Sequence, residues 1–444
     1  MHIHFIGIGG IGVSALARYY LSKGARVSGS DLMASEITDA LLHEGAEIVL
    51  GRQQKKNFPE TAEKVVFTAA TPGTNPELRE AKRRGIPLSS YAEAVGELSR
   101  QYKTITVSGA HGKSTTTALI SLILVEGYCD PTVIIGTKVK EFGATNFRRG
   151  RSPYLVLEAD EWNRSFLSYQ PHIAVVTNID AEHLDTYKTI EGVERAFRKY
   201  LERVPEDGWI VANADDARLR KIVEEAKKPT QWFSMHGPDA ARVRNLLKVP
   251  GDHNVANALA ALTVGRILGI QEPLILKALE GFRGTWRRFE FMGIREGAYI
   301  FSDYAHHPNE IIATLSSARK RFPFRRIWCV FQPHQYRRLQ YLWDNFVSAF
   351  DGADRICLLP VYAVSGRERR QKDQQYTSDA LAHTLLLRGK QAWHVPSFDT
   401  ANIHITGEIK KGDVVLMMGA GDIYDFTKKF MGVRVRDALS TEIV

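Results

Sequence analysis

Short apolar runs alternate with amphipathic stretches along most of the chain. His2 to Ile8 is the first run, and it passes into a helical stretch ending near Ser22. Ala25 to Ser30, Val65 to Ala69, Thr104 to Val107, Tyr154 to Leu157, His172 to Ile179 and Trp209 to Ala212 have the same character. The last third repeats it at Tyr299 to Ser302, Arg326 to Phe331, Arg355 to Leu359 and Val414 to Met418. Strand-length runs rich in β-branched residues, separated by helical stretches, predict an α/β fold with mostly parallel sheets. At 444 residues the chain is too long for one core, and two to four domains are expected. Breaks near Gln101 and over Gly281 to Phe289 divide it into 1–101, 102–290 and 291–444. There is no repeat at solenoid period and no low-complexity tract.

The stretch Lys103 to Leu119 reads K-T-I-T-V-S-G-A-H-G-K-S-T-T-T-A-L. A β-branched strand is followed by a turn with Gly109 and Gly112, then by a helix that Ser114 can start. This is the layout of a phosphate-binding loop: backbone N–H groups and the helix N-terminus face the anion, Lys113 adds a full charge, and the Ser114 hydroxyl can hold Mg²⁺. One departure is that Val107, not Gly, stands five places before Gly112. The plain alternative is a polar turn between strand and helix.

Gly7-Ile-Gly9-Gly10-Ile11-Gly12 follows the first strand, and Asp31 closes the second. This is a dinucleotide-type fingerprint, with glycines for close phosphate approach and an acid for a ribose hydroxyl. By itself it suggests an NAD-dependent oxidoreductase; any nucleotide diphosphate would fit, and structural packing alone is the plain alternative for the glycines. Thr71-Pro-Gly-Thr-Asn75-Pro-Glu77 enters a helix, with Asn75 as its cap by default or else a ligand contact.

Two acidic clusters leave strands of the middle segment, Glu158-Ala-Asp160-Glu161 and Asp180-Ala-Glu182-His183-Leu-Asp185. Strand ends face the crevice where α/β proteins bind ligands, and oxygen donors suit Mg²⁺ completed by phosphate and water. A solvated turn is the ordinary account of either cluster alone. Gly251-Asp-His-Asn254-Val-Ala-Asn257 precedes an Ala/Leu-rich helix. Asn254 is a candidate cap, while Asn257, one turn in, is a poor helix former that asks for another job. Arg287 or Arg288 could reach a phosphate, or form a surface pair. In the last segment Asp303-Tyr-Ala-His306-His307-Pro, Gln332-Pro-His334-Gln-Tyr-Arg337 and Gly419-Ala-Gly421-Asp422 rim strand ends.

The chain is 44% hydrophobic and 25% charged, as expected of a globular protein. Its net charge of +9 is scattered rather than gathered in an arm, which favours a solvated surface over a nucleic-acid partner. The densest basic run, Arg367 to Lys372, also holds Glu368. Cys129, Cys329 and Cys357 lack disulfide or zinc spacing. No apolar run is long enough to span a bilayer, and a strand from residue 2 leaves no room for a signal peptide, so a cytoplasmic location is expected.

Taken together, the chain resembles the Mur ligase family, which builds the peptide of bacterial cell-wall precursors. The resemblance covers all three segments and rests on G-I-G-G-I-G, G-A-H-G-K-S-T-T-T, E-A-D-E, T-N-I-D-A-E-H-L-D-T-Y, H-N-V-A-N-A-L-A-A, W-R-R-F, D-Y-A-H-H-P, F-Q-P-H-Q-Y and M-G-A-G-D-I in the family's order. It implies a Rossmann-like N-terminal domain for a UDP-sugar, a P-loop ATPase-like centre and a Rossmann-like C-terminal domain for an amino acid. Gly9, Gly10, Ile11 and Gly12 would hold the UDP diphosphate, with Asp31, Thr71 and Asn75 nearby. Gly109, His111, Gly112, Lys113, Ser114 and Thr115 would surround the ATP phosphates. Ser114, Glu158 and His183 would serve Mg²⁺, Asn254 and Asn257 would lie around the nucleotide, and Arg288 and Asp303 would complete the ATP site. His306, His307, His334 and Arg337 would lie near the incoming amino acid. Departures from the family pattern are Ala110 for Thr, Ser302 for an acid, and Trp162 and Asn163 after E-A-D-E. Other branches carry a carbamylated lysine where A-F-R-K-Y stands here, with Arg198 and Lys199; the alanine-adding branch does without it.

The implied reaction is ATP-dependent ligation of L-alanine to the carboxylate of UDP-N-acetylmuramate through an acyl phosphate. The implied state is a monomer or homodimer, with no nucleic-acid or membrane partner. Closure of domains would exclude water from the acyl phosphate. His183, or more readily His306 or His307, would take the amine proton. Competing accounts are the oxidoreductase, a P-loop ATPase that ligates nothing, and a sister ligase that attaches a recycled tripeptide.

Overall fold

Among the described residues the strands form three sheets. The first, in spatial order Glu47–Leu50, Arg26–Asp31, His2–Ile6, Lys64–Phe67 and Leu88–Ser90, is parallel throughout. Its strand order reverses at His2–Ile6, so the glycine-rich loop leaves this sheet at the point where a parallel sheet opens a crevice. The computed structural model describes residues 1–363 and 375–432, apart from the side chains of Leu184 and Asp185. The basic run Arg367 to Lys372 lies outside the described residues.

The second sheet runs Thr230–Phe233, Trp209–Asn213, Ile173–Val176, Lys103–Ser108, Tyr154–Glu158, Thr132–Val139 and Thr145–Arg148, parallel except for the last pair. Lys103–Ser108 sits in the middle, between the strands that lead into the two acidic clusters. Three adjacent parallel strands therefore deliver the phosphate loop and both clusters to one edge. The Lys113–Glu126 helix packs between this sheet and the Glu272–Gly281 helix. That position explains why it buries Thr115 to Ile120 continuously instead of showing one apolar stripe.

The third sheet runs Glu290–Arg295, Ala298–Asp303, Val414–Met418, Ile327–Phe331, Arg355–Leu358 and Ala392–His394, with only the first pair antiparallel. Its two faces carry separate apolar cores, one around Leu315, Phe331 and Phe350, the other around Trp328, Met417 and Phe426.

The chain divides into two compact units. One spans 1–248 and 253–285, the other 249–252 and 286–444. The first two sheets share the first unit. The Ile11–Ser22 helix, which follows the glycine-rich loop, packs on the Thr145–Arg148 strand of the second sheet: Tyr19 meets Phe147 edge to face at 6.3 Å, and Asn146 donates to Ser14 Oγ at 2.9 Å. One apolar core runs through both, from Phe5 and Leu16 to Leu155 and Phe197. The break falls between Thr285 and Trp286, so Arg287 and Arg288 belong to the second unit. Among the described residues no helix is long and apolar enough to cross a membrane.

Asn75 caps the Pro76–Arg83 helix, its Oδ1 accepting from the N–H groups of Glu77 (2.9 Å) and Leu78 (3.1 Å). Asn254 is not a cap, because the Asp252–Ile267 helix starts two residues earlier and places it in the first turn. Asn75→Ala is expected to lower stability by about 1–2 kcal/mol, read as an earlier first transition in urea. An unchanged transition would contradict the cap.

Candidate active site

The phosphate loop is shaped by two glycines in left-handed conformations, Gly109 at φ +132° and Gly112 at φ +87°. Both positions are also crowded. A Cβ on Gly109 would lie 2.2 Å from Thr177 Oγ1, and one on Gly112 would lie 2.3 Å from Asn257 Oδ1. Side chains with a Cβ are excluded by conformation and by space together. The second contact gives Asn257 its job: it is buried against the loop, one turn into a helix that otherwise favours Ala and Leu.

The neighbouring strand end locks the loop from the other side. Asn178 Oδ1 accepts from the His111 N–H (2.9 Å), and Asn178 Nδ2 donates back to the His111 carbonyl (2.9 Å). Thr177 Oγ1 donates to the same carbonyl at 2.6 Å, and the Ala110 N–H donates to the Asn178 carbonyl at 3.3 Å. His111 Nε2 lies 3.3 Å from Asp180 Oδ2.

Lys113 folds back over this loop. Its Nζ donates to the Gly109 carbonyl (2.7 Å) and to both oxygens of Glu161 (3.0 and 3.1 Å), with Asp160 Oδ1 at 3.8 Å. Burial works against the ammonium charge, but Glu161, Asp160 and Glu158 outweigh it and hold Lys113 above the ordinary lysine range. Ser114 Oγ donates to Glu158 Oε1 at 3.0 Å, and the Gly136 N–H donates to Glu158 Oε2 at 2.8 Å. Burial raises the Glu158 carboxyl, opposed by Lys113 and by these two donors; burial likewise raises Glu161, opposed by Lys113.

Of the three residues expected at Mg²⁺, Ser114 and Glu158 are directly hydrogen-bonded. His183 instead faces Glu161 (3.7 Å) and Asp160 (3.8 Å), and these three offer ligand atoms within 4.8 Å of one another. Glu161 is the residue that sequence reasoning passed over: E-A-D-E offered three acids, and only the structure separates the one on Ser114 from the one on Lys113. Thr115 is buried in the first helical turn.

At the first sheet, Gly10 ends the loop as the N-cap of the Ile11–Ser22 helix. Asp31 Oδ2 accepts from the Gly9 N–H at 2.8 Å, so the acid expected on a ribose is here holding the loop itself. A Cβ on Gly12 would come 2.9 Å from the Tyr91 hydroxyl. Thr71 closes a turn onto the Thr68 carbonyl, and Asn75 adds to its cap a hydrogen bond from its amide to Gln53.

In the second unit the adjacent arginines separate. Arg287 is buried and donates to the carbonyls of Gly419 (2.6 Å) and Gly421 (3.2 Å). Arg288 is a third exposed and lies 3.4 Å from Glu310. Asp303 is buried and accepts from the N–H groups of Phe289 and Ala305, both at 2.7 Å, which fixes the turn that presents Arg288. Burial raises the Asp303 carboxyl against the pull of Arg288.

The two histidines of D-Y-A-H-H-P also differ. His306 Nδ1 lies 2.9 Å from the Tyr304 carbonyl, which can only accept, so Nδ1 carries the proton and the basic lone pair of the neutral ring is at Nε2. His307 is buried and caps the Pro308–Arg321 helix, its Nδ1 accepting from the Asn309 N–H at 3.3 Å; its neutral ring therefore carries the proton on Nε2. His334 stacks on Tyr362 and meets His306 edge to face at 5.6 Å, and Arg337 is exposed on the following helix.

Three family models match in sequence: "Mur ligase family, catalytic domain" over residues 2–103, "Mur ligase middle domain" over 107–249, and "Mur ligase, glutamate ligase domain" over 287–421. The UDP-N-acetylmuramate–L-alanine ligase of Clostridium kluyveri is 39% identical over 97% of both chains, and that of Acetivibrio thermocellus 40% identical over 97% of this chain and 95% of its own. Among solved structures, the UDP-N-acetylmuramate–alanine ligase of Thermotoga maritima superposes with a TM-score of 0.82 at 29% identity, covering 97% of this chain and 98% of that one. A murein peptide ligase from Psychrobacter arcticus shares the fold, with a TM-score of 0.73 at 22% identity over 99% and 100% of the chains. Together with the loop geometry above, these matches place the chain in the Mur ligase family.

Proposed function

We propose that this protein joins L-alanine to the carboxylate of UDP-N-acetylmuramate, with ATP converted to ADP and phosphate, in bacterial peptidoglycan precursor synthesis. The observation that carries the ligase chemistry is the arrival of the phosphate loop, Glu158 and His183 from three adjacent parallel strands at one edge. The alanine-adding relatives, matched along nearly the whole chain, support the choice of substrates.

A carboxylate resists attack by an amine. Transfer of the γ-phosphoryl group to it gives an acyl phosphate, whose phosphate leaves when the amine attacks the carbonyl carbon. Lys113 is the fixed charge on the transferring group, with loop N–H groups around it. Arg288, rather than the buried Arg287, is the second cation, and Asp303 positions it. Oxygen donors at Ser114 and Glu158 suit Mg²⁺, with His183 beside Asp160 and Glu161 as the adjoining group. When bound, that ion would neutralise charge on the phosphate oxygens. The glycines at 9, 10 and 12 with Ile11 receive the UDP diphosphate at the start of the Ile11–Ser22 helix. His306 takes the amine proton at Nε2; His307, with its proton on that nitrogen and its other nitrogen in a helix cap, supports the fold of the same loop. Arg337 and His334 hold the amino acid.

The decisive assay is phosphate release from ATP. Release is expected only with UDP-N-acetylmuramate and L-alanine together, and Lys113→Ala is expected to abolish it while UDP-N-acetylmuramate still binds. A larger rate with a tripeptide than with L-alanine would move the protein to the sister activity, and hydrolysis independent of both substrates would reject ligation. Glu158→Ala is expected to raise the Mg²⁺ concentration for half-maximal release by about tenfold or more. An unaltered Mg²⁺ dependence would remove Glu158 from the metal site.

A further inference from the structure

Lys113 is expected to meet a phosphate, yet its ammonium is already matched by a carboxylate. Both oxygens of Glu161 lie at 3.0–3.1 Å from Nζ, and the Glu161 side chain is 2% exposed. This is not a chance surface pair, since the Glu161 backbone is itself held by two donors. Its carbonyl accepts from the Tyr187 hydroxyl and from the Arg164 N–H. The residues that turn the chain after it, Asn163 and Arg164, take left-handed conformations at φ +52° and +59°, uncommon for residues other than glycine. The neighbouring acids differ from it: Glu158 is satisfied by Ser114 and Gly136, and Asp160 is half exposed at 3.8 Å from Nζ.

We propose that Glu161 is an internal stand-in for phosphate: it occupies Lys113 in the nucleotide-free protein, must be displaced when a nucleotide binds, and reclaims the ammonium as product phosphate leaves. The inference rests on Lys113 being the phosphate-binding lysine. A largely covered lysine with no anion, its side chain only 14% exposed, would pay a desolvation cost that a bidentate carboxylate offsets. Such a partner keeps the side chain folded over the loop in the geometry the phosphate later uses. It also competes with that phosphate, because the apparent affinity of a ligand falls by the fraction of protein in which its site is available. Glu161 thus trades nucleotide affinity for an ordered empty site and for easier release of phosphate. No bond is made or broken in this exchange; one anion replaces another on the same ammonium.

The test is calorimetric titration of the full-length protein with ADP in EDTA, which isolates the phosphate contacts from any metal. Glu161→Gln is expected to tighten ADP binding by about tenfold, opposite in sign to the usual loss of a site residue. Asp160→Asn removes the same charge at longer range without the contact, and is expected to gain much less. If Glu161→Gln does not fold, Glu161→Asp withdraws the carboxylate by one methylene and is expected to shift affinity in the same direction. Unchanged or weaker ADP binding by the Glu161 variant that folds, or an equal gain in Asp160→Asn, overturns the proposal while leaving the ligase assignment standing. Failure of the wild-type protein and of Lys113→Ala to differ in ADP binding overturns both.

Discussion

The site depends on a single positive charge kept in a fixed place. Lys113 is pulled toward Glu161 and the Gly109 carbonyl, and the loop beneath it cannot shift because Thr177, Asn178 and Asn257 press on its two glycines and its histidine. Preorganised charge stabilises a transferring phosphoryl group only if it need not be rearranged during the reaction. The energetic consequence is that the loop's backbone donors and its lysine are ordered before any ligand arrives. The cost falls on residues that would otherwise be unconstrained: glycine at two positions, and asparagine in a helix of alanines and leucines.

A second constraint ties the two N-terminal sheets together. The helix that begins at the glycine-rich loop packs through Ser14, Arg18 and Tyr19 on the Thr145–Arg148 strand, so the loop proposed for the sugar nucleotide and the loop proposed for ATP belong to one unit with a shared core. An acid held in one loop must meet a phosphoryl group held in the other, and a common core removes one degree of freedom from that meeting. The second unit carries its own rigid turn, in which Asp303 binds the backbone at Phe289 and Ala305 and leaves Arg288 at the surface of its unit.

Much of this was legible in the chain. Every strand announced by an apolar run is present, because central parallel strands are buried on both faces and must be apolar throughout. Among the described residues, the seven strands that the runs missed include all six edge strands of the three sheets. An edge strand is covered on fewer sides and needs no continuous apolar run; Glu47–Leu50 and Thr230–Phe233 show how little signal remains. The three-part division was visible, but not the fusion of its first two parts, which depends on Phe147 and Asn146 meeting a helix about 130 residues earlier in the chain. The motifs proposed to carry chemistry could be picked out as candidates from their residue types and spacing. Which acid of E-A-D-E meets Lys113 and which meets Ser114, which arginine of W-R-R-F is buried, and which histidine of D-Y-A-H-H-P has its proton on Nδ1 were not legible, since each is decided by hydrogen bonds that spacing alone does not specify.

The account makes the substrate carboxylate itself the acceptor of the γ-phosphoryl group. UDP-N-acetylmuramate labelled with ¹⁸O in that carboxylate, incubated with ATP, magnesium and L-alanine, tests this directly by mass analysis of the released phosphate. One labelled oxygen is predicted to appear in the phosphate for each molecule ligated, because the oxygen that attacked phosphorus departs with it. Phosphate free of label, with the ligated product still formed, would contradict activation through an acyl phosphate.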